Sequence, residues 1–293
     1  MAAAGLLVAF RGAGAAAQDA PGREAGALLR AFGRAEATVT AGPDGPAAPA
    51  QLAAGPVLVS VSAPAPWVAY VALVRPPAGM ADDEAARLAL AAAREDLPAP
   101  DWVYFGGATA TAPGGSAVFA ADLAPGEYRW AVSWYADGPG GEEQMRLLPL
   151  AVTGESAGAG IPFAVDLVAA DGPRFLVAPD PAPAGPAVWR FLNASEGAPA
   201  PHHAVLWRAP EGVTAQAIVE EFGALALGTP VPESGVIAGM AWAGFFAMQS
   251  PGTATWAEVD LAPGTHAVTS FVVDPGTGRP QVLDGLAVVF EVA

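Results

Sequence analysis

Two stretches decide the fold. Residues 113–128 read Pro-Gly-Gly-Ser-Ala-Val-Phe-Ala-Ala-Asp-Leu-Ala-Pro-Gly-Glu-Tyr, and residues 251–266 read Pro-Gly-Thr-Ala-Thr-Trp-Ala-Glu-Val-Asp-Leu-Ala-Pro-Gly-Thr-His. Each carries a Pro-Gly pair followed nine positions later by Asp-Leu-Ala-Pro-Gly, at a constant offset: 251 − 113 = 138 and 260 − 122 = 138. Working outward, Ala54-Gly55-Pro56 matches Ala184-Gly185-Pro186 at an offset of 130, and Arg75-Pro76 matches Arg208-Ala209-Pro210 at 133. The matched blocks keep their order, which is the mark of an internal duplication with small insertions. One unit is expected over 36–153 and the other over 161–293, joined by the short Gly- and Ser-containing linker Gly154–Gly160.

Each unit reads as mostly strand. In the first, residues 57–61, 68–74 and 128–135 hold β-branched and aromatic residues between Pro and Gly punctuation. In the second, 187–192, 204–207, 267–273 and 286–292 do the same. One helix interrupts each unit. Asp82, Asp83 and Glu84 open an alanine-rich stretch that closes on Arg94, a charge order that suits the helix dipole. Thr214 can cap a helix over 215–227 whose Ile218, Phe222 and Leu225 share a face. The expectation is an all-β fold of two tandem Greek-key β-sandwich domains, each with one short inserted helix. Trp102, Tyr104 and Trp134 are expected to fill the cores rather than to line binding loops.

The chain has 293 residues and a net charge of −16, and all 13 of its basic residues are arginine. That acidity repels phosphate backbones and argues against nucleic-acid binding. Cysteine is absent, which removes disulfides, thiolate-ligated metals and thiol nucleophiles. Residues 2–10 are apolar and Ala13–Ala17 supply small residues, so 1–17 reads as a signal peptide cleaved after Ala17 and the protein as extracytoplasmic, periplasmic or secreted. The apolar run 236–248 is shorter than the ~20 residues a membrane span needs and reads as a buried core segment.

Catalytic patterns are weak. Ser270, His266 and Asp274 could be drawn as a triad, but no Gly-x-Ser-x-Gly elbow accompanies them. The acid pairs Asp82-Asp83-Glu84 and Glu220-Glu221 read as solvated helix faces, and Glu142-Glu143 lies in a Gly-rich loop; none implies two carboxylates facing across a cleft. Asn193-Ala194-Ser195 matches a glycosylation sequon of little weight in a lysine-free, alanine-rich chain. The Leu-x-Pro-Gly-x-Tyr block ending at Tyr128 suggests a tyrosine corner, with His266 in the aligned place of the second repeat.

The order of blocks in the second unit resembles a bacterial cupredoxin-like (plastocyanin-like) family. These blocks are Phe191-Leu192-Asn193, Pro201-His202-His203, Glu211-Gly212-Val213-Thr214, Pro251-Gly252, Leu261–His266 and Asp274-Pro275-Gly276. The resemblance implies a copper loop of Cys, His and Met after the corner. A blue-copper centre needs two imidazoles and a thiolate. By position, Ser270 stands where the Cys is expected, Gln281 where the downstream His is expected, and Leu286 where the Met is expected. Only the first imidazole survives, as His202 or His203. In the first unit Trp67–Tyr70 holds no His and Ala131–Trp134 no Cys. With three histidines in all, a multicopper oxidase is excluded by count.

His202 and His203 are neighbours on an expected strand, so they point to opposite faces and cannot chelate one ion together in regular β geometry. The resulting expectation is a non-catalytic tandem protein with a binding or structural role, no cofactor and no membrane span. Its partner would be an extracytoplasmic protein or a small ligand. The alternative is a residual metal-binding protein using His202 or His203.

Overall fold

The computed structural model describes residues 24–293 except 109–110, 112, 136–141, 157–159, 173 and 197–199. The expected signal peptide 1–17 and the centre of the linker lie outside the described residues. Among those described, the strands form two sheets. The seven-stranded sheet runs β1 (Glu36–Thr40), β3 (Gly55–Ser62), β6 (Ser116–Leu123), β14 (Ala254–Leu261), β11 (Gly185–Asn193), β9 (Val165–Ala170) and β10 (Arg174–Ala178). The nine-stranded sheet runs β16 (Ala287–Val292), β15 (Gly264–Thr269), β12 (His202–Arg208), β13 (Ala241–Gln249), β5 (Val103–Gly107), β4 (Val68–Arg75), β7 (Gly126–Tyr135), β8 (Gln144–Thr153) and β2 (Gln51–Ala53). The two sheets face each other as a β-sandwich.

The repeated blocks pair with one another in the same way in both halves. Gly55 lies opposite Leu123 and Pro56 opposite Asp122; Gly185 lies opposite Leu261 and Pro186 opposite Asp260. The parallel pairing of β1 with β3 has its counterpart in β9 with β11. The Pro-Gly turn before each of β6 and β14 puts Gly114 at φ 75° and Gly252 at φ 77°, a left-handed conformation in which a Cβ is penalised. The sequence requirement for glycine there is therefore a backbone requirement.

The strands also join across the chain's two halves, which the repeat alone does not show. β6 pairs antiparallel with β14: Ala121 lies opposite Thr255, Ala120 opposite Trp256 and Phe119 opposite Ala257. Since 257 − 119 = 138, the Phe119–Ala257 pair of this junction joins residues separated by the repeat offset. In the other sheet β13 meets β5 through Gln249 and Phe105. Tyr104 and Ser250 bond there twice, the Ser250 N–H donating to the Tyr104 carbonyl at 2.8 Å and the Tyr104 N–H to Ser250 Oγ at 3.0 Å.

Between the sheets lie two apolar clusters, one around Phe119, Tyr128, Trp130 and Trp134, the other around Trp189, Phe191, Phe246 and Phe290. The outer face of the nine-stranded sheet is covered by helices α2 (Asp82–Glu95) and α3 (Ala215–Ala226). Helix α2 carries its three acids in the first turn, buries Ala85, Ala89 and Ala92 at helical spacing, and ends at Asp96 in the left-handed region, φ 51°. Thr214 caps α3, its side chain accepting from the Ala217 N–H at 3.2 Å, and Ile218 and Phe222 face the sheet. On the other side α1 (Ala27–Arg30) places Leu29 against Leu58, Val118, Val188 and Trp256, so it straddles the β6–β14 junction. Trp102, Tyr104 and Trp134 are all buried, as the aromatic rule expects.

Three local expectations shift. The segment expected as strand over 267–273 leaves the sheet after Thr269, because the backbone of 270–273 bonds elsewhere. The apolar run 236–248 divides into a 3-10 turn, Ile237–Gly239, and strand β13. Glu221, expected on a solvated face, is half-buried and accepts from the Ile237 N–H, fastening that turn to α3.

Both corners form. The Tyr128 hydroxyl donates to the Ala124 carbonyl at 2.8 Å, and His266 Nε2 bonds the Ala262 carbonyl at 2.9 Å, four residues back in each case. Arg75 lies over the Tyr128 ring, 4.6 Å from its centroid. Tyr128→Phe removes one such bond, so we expect a loss of about 1 kcal/mol in urea unfolding. His266→Tyr, which keeps a hydroxyl donor at the aligned place, should lose less.

Candidate functional site

β12 alternates its side chains between two layers. Ala204 and Leu206 belong to the inter-sheet core, whereas Val205 and Trp207 belong to the cluster under α3. His202 and His203 follow the same division and are both buried. His203 packs edge-on against Phe245, at 5.4 Å between centroids, and against Phe271 at 6.3 Å. His202 instead reaches Gln281. The expectation that the two imidazoles point apart therefore holds, despite a register shift between His202 and Ala204.

The positions singled out from the copper-loop pattern converge. Gln281 Oε1 accepts from two donors, His202 Nδ1–H at 2.9 Å and Ser270 Oγ–H at 2.7 Å. Its Nε2 donates to the Pro201 carbonyl at 3.0 Å. The amide makes three hydrogen bonds, and an amide oxygen can only accept, so the proton of His202 lies on Nδ1. Leu286 is buried in the inter-sheet core and joins the same knot through its backbone: Ser270 N–H donates to the Leu286 carbonyl at 3.3 Å, and Leu286 N–H to the Gln281 carbonyl at 3.0 Å. Val282 N–H closes the loop onto the Ser270 carbonyl at 2.7 Å. A 3-10 turn, Gln281–Asp284, presents the glutamine.

The donor set does not fit blue copper. A serine hydroxyl replaces the thiolate on which that bonding depends, and an amide replaces the second imidazole. The one surviving imidazole has its Nδ1 lone pair replaced by a proton aimed at Gln281. Among the described residues, no group of three or more His, Cys, Asp and Glu side chains is placed to hold a metal ion.

Other sequence candidates resolve structurally. His266 is a corner residue on β15, and the proposed triad with Ser270 and Asp274 does not assemble: Ser270 bonds Gln281, His266 bonds Ala262, and Asp274 Oδ1 accepts from Gly276 and Thr277 N–H in its own turn. Glu143 pairs with Arg94 at 3.7 Å. In the Asn193-Ala194-Ser195 sequon, the Asn193 Nδ2 donates to the Gln249 carbonyl at 2.9 Å and its Oδ1 accepts from Ser195 Oγ at 2.6 Å, with the side chain fully buried. That amide is engaged in structure and closed to modification.

A second assembly was not legible in the sequence. The segment 270–273 lies between the two histidines' surroundings. Phe271 N–H donates to His203 Nε2 at 2.7 Å, and Val273 N–H donates to the carbonyl of Asp96, at the end of α2 in the other half of the chain. His203 Nδ1 stands 3.8 Å from Asp96 Oδ1. Nothing about the single acid Asp96 in sequence marks it; only the docking of α2 beside β12 brings it to the imidazole.

No family model and no curated protein matches the sequence. Among solved structures, auracyanin B is 21% identical with a TM-score of 0.26, over 46% of this chain and 93% of that one. Auracyanin from Roseiflexus castenholzii is 22% identical at 0.25, over 44% and 94%. The copper-containing nitrite reductase of Thermus scotoductus is 12% identical at 0.23, over 88% of this chain and 60% of that one.

Burial holds the imidazoles of His202 and His266 below the usual histidine range; for His202 the bond to Gln281 and the charge of Asp274 oppose that effect, and for His266 the bond to Ala262 does. Each therefore stays neutral in the fold at a pH where the unfolded chain is protonated. Below about pH 6.5 the unfolded state binds more protons, so stability falls as the pH drops from there towards the folded values. We expect the Tm to decrease between about pH 7 and 5, with a smaller decrease in the His202→Gln and His266→Tyr variants, measured by thermal unfolding at fixed ionic strength.

Proposed function

We propose that this chain is an exported, non-catalytic, tandem cupredoxin-like protein whose copper centre has been replaced by a structural hydrogen-bond knot. The observation that carries this reading is the meeting of His202, Ser270 and Gln281 on one amide oxygen, with Leu286 tied to the same loop. These are the four places that the copper-loop pattern nominates, and they come together although 79 residues separate His202 from Gln281. Their chemistry is that of a buried polar network, which rigidifies a loop and offers neither a thiolate nor a second imidazole for a metal.

The duplication over 36–153 and 161–293 belongs to the same reading, supported by the equivalent pairing of Gly55 with Leu123 and Gly185 with Leu261. So does export, which rests on the leader 1–17. No described helix is long and apolar enough to cross a membrane. The role left to such a scaffold is binding, of an extracytoplasmic protein or a small ligand, because fold and chemistry are separable.

Ser270→Cys with Gln281→His supplies the missing thiolate and imidazole beside His202. We expect that double variant to take up copper stoichiometrically with an intense thiolate-to-copper absorption band. The unaltered protein exposed to Cu(II) should hold no more metal than the His202→Ala/His203→Ala variant by elemental analysis. Failure of the double variant to bind copper would overturn the assignment of these positions. Stoichiometric copper in the natural protein, lost in the histidine variant, would instead establish a residual metal site.

A further inference from the structure

Among the described residues, the two halves meet within the sheets through short pairings. Three residue pairs join β6 to β14, and one joins β13 to β5. Residues 24–34 lie over the first of these, on the outer face of the seven-stranded sheet. Leu29 of α1 is fully buried there, in one apolar cluster with Leu58 and Val118 from the first half and Val188 and Trp256 from the second. The two inter-sheet clusters include no residue of this segment.

Polar anchors fall on both sides of the seam. The Leu28 N–H donates to a Glu258 carboxylate oxygen of β14 at 2.8 Å. Arg30 holds the other side. Its Nη2 donates to Glu36 of β1 at 2.8 Å and to Ser60 Oγ of β3 at 3.3 Å, and its Nη1 donates to Glu24 at 2.8 Å. Two glycines frame the segment, both in the left-handed region. At Gly26, φ 73°, an added Cβ would lie 2.5 Å from the Val118 Cβ, so only a residue without a side chain seats the segment this closely on β6. At Gly33, φ 64°, an added Cβ would meet nothing within 4 Å. Gly26 is therefore a contact position and Gly33 a hinge.

We propose that residues 24–34 are a salt-releasable staple whose docking decides whether the two halves move as one body or open at the β6–β14 ladder. The segment has a foot in each half, Arg30 on β1 and β3 and Leu28 on Glu258 of β14, so undocking removes contacts across the seam and leaves both inter-sheet cores intact. A ladder of three pairs is a weak joint by itself, and local openings of that kind cost less than global unfolding. Docked, Leu29 shields the apolar strip that the ladder presents to solvent; undocked, the strip is wetted and the joint loses its cover. The ionic foot is the part that responds to conditions. Glu24 is 74% and Glu36 31% exposed, so added salt screens their attraction to Arg30 while leaving apolar burial in place. The staple thereby makes the seam sensitive to ionic strength in a way that the cores are not.

Amide hydrogen exchange of the full chain, read by mass spectrometry on peptides covering β6 and β14 with β7 and β15 as references, tests the staple. Gly26→Val, which drives a side chain into Val118, and Leu29→Ala, which empties the apolar contact, should each speed exchange in β6 and β14 about tenfold or more. The references should keep their natural rates. Gly33→Ala bears the same left-handed strain without a collision and should change the seam far less. In the natural protein, seam exchange should quicken from about 0.01 to about 1 M NaCl, over which the Debye length falls from about 30 to about 3 Å. Arg30→Gln should exchange faster at low salt and lose that dependence; it spares the apolar contacts and serves if a packing variant does not fold. Natural seam exchange in both Gly26→Val and Leu29→Ala, an equal rise in all four strands, or seam exchange indifferent to salt and to Arg30→Gln would overturn the proposal.

Discussion

The antiparallel ladder between β6 and β14 is the constraint on which the remaining architecture depends. Both strands carry a continuous apolar inner face, and an unpaired edge of that kind would expose backbone donors and acceptors beside hydrophobic side chains. Pairing the two edges removes both liabilities at once and makes one continuous sheet. It also fixes where everything else falls. Leu29 can pack across the junction, Tyr104 and Ser250 are brought into bonding range, and α2 is held where its last residue reaches the loop at 270–273.

That loop is the second pivot. Its backbone serves three masters within four residues: Ser270 bonds Leu286, Phe271 bonds His203, and Val273 bonds Asp96. The two adjacent histidines thus sit in different chemical settings while sharing one support. His202 is satisfied by an amide in the inter-sheet layer; His203 is held as an acceptor against an aromatic layer beside a carboxylate. Two neighbouring residues of one type can do unrelated work when a strand alternates its side chains between two buried faces.

At the two corners the chemistry differs while the geometry stays. Tyr128 and His266 use different atoms to reach the carbonyl four residues back, at nearly equal lengths of 2.8 and 2.9 Å. The same economy applies at Gln281, where an amide oxygen gathers two donors. In both places a polar side chain reaches buried acceptors or donors, although the His266 Nδ1 stays buried without a hydrogen bond.

The amino-acid sequence by itself determined several of the central strands, the cap of α3, the paired Pro-Gly and Leu-Ala-Pro-Gly turns, the corner, and the absence of any thiolate at Ser270. Those features are local: propensity, φ preference and spacing over a few residues are enough to specify them. The tertiary structure alone decided that the halves share both sheets, that Glu221 is a fastening rather than a solvated acid, and that Asp96 meets His203. Those outcomes depend on which strand edges pair and which helix docks beside which strand. Such contacts join residues from different elements, as far apart in the chain as Asp96 and His203, and no local pattern in either segment encodes the other's position.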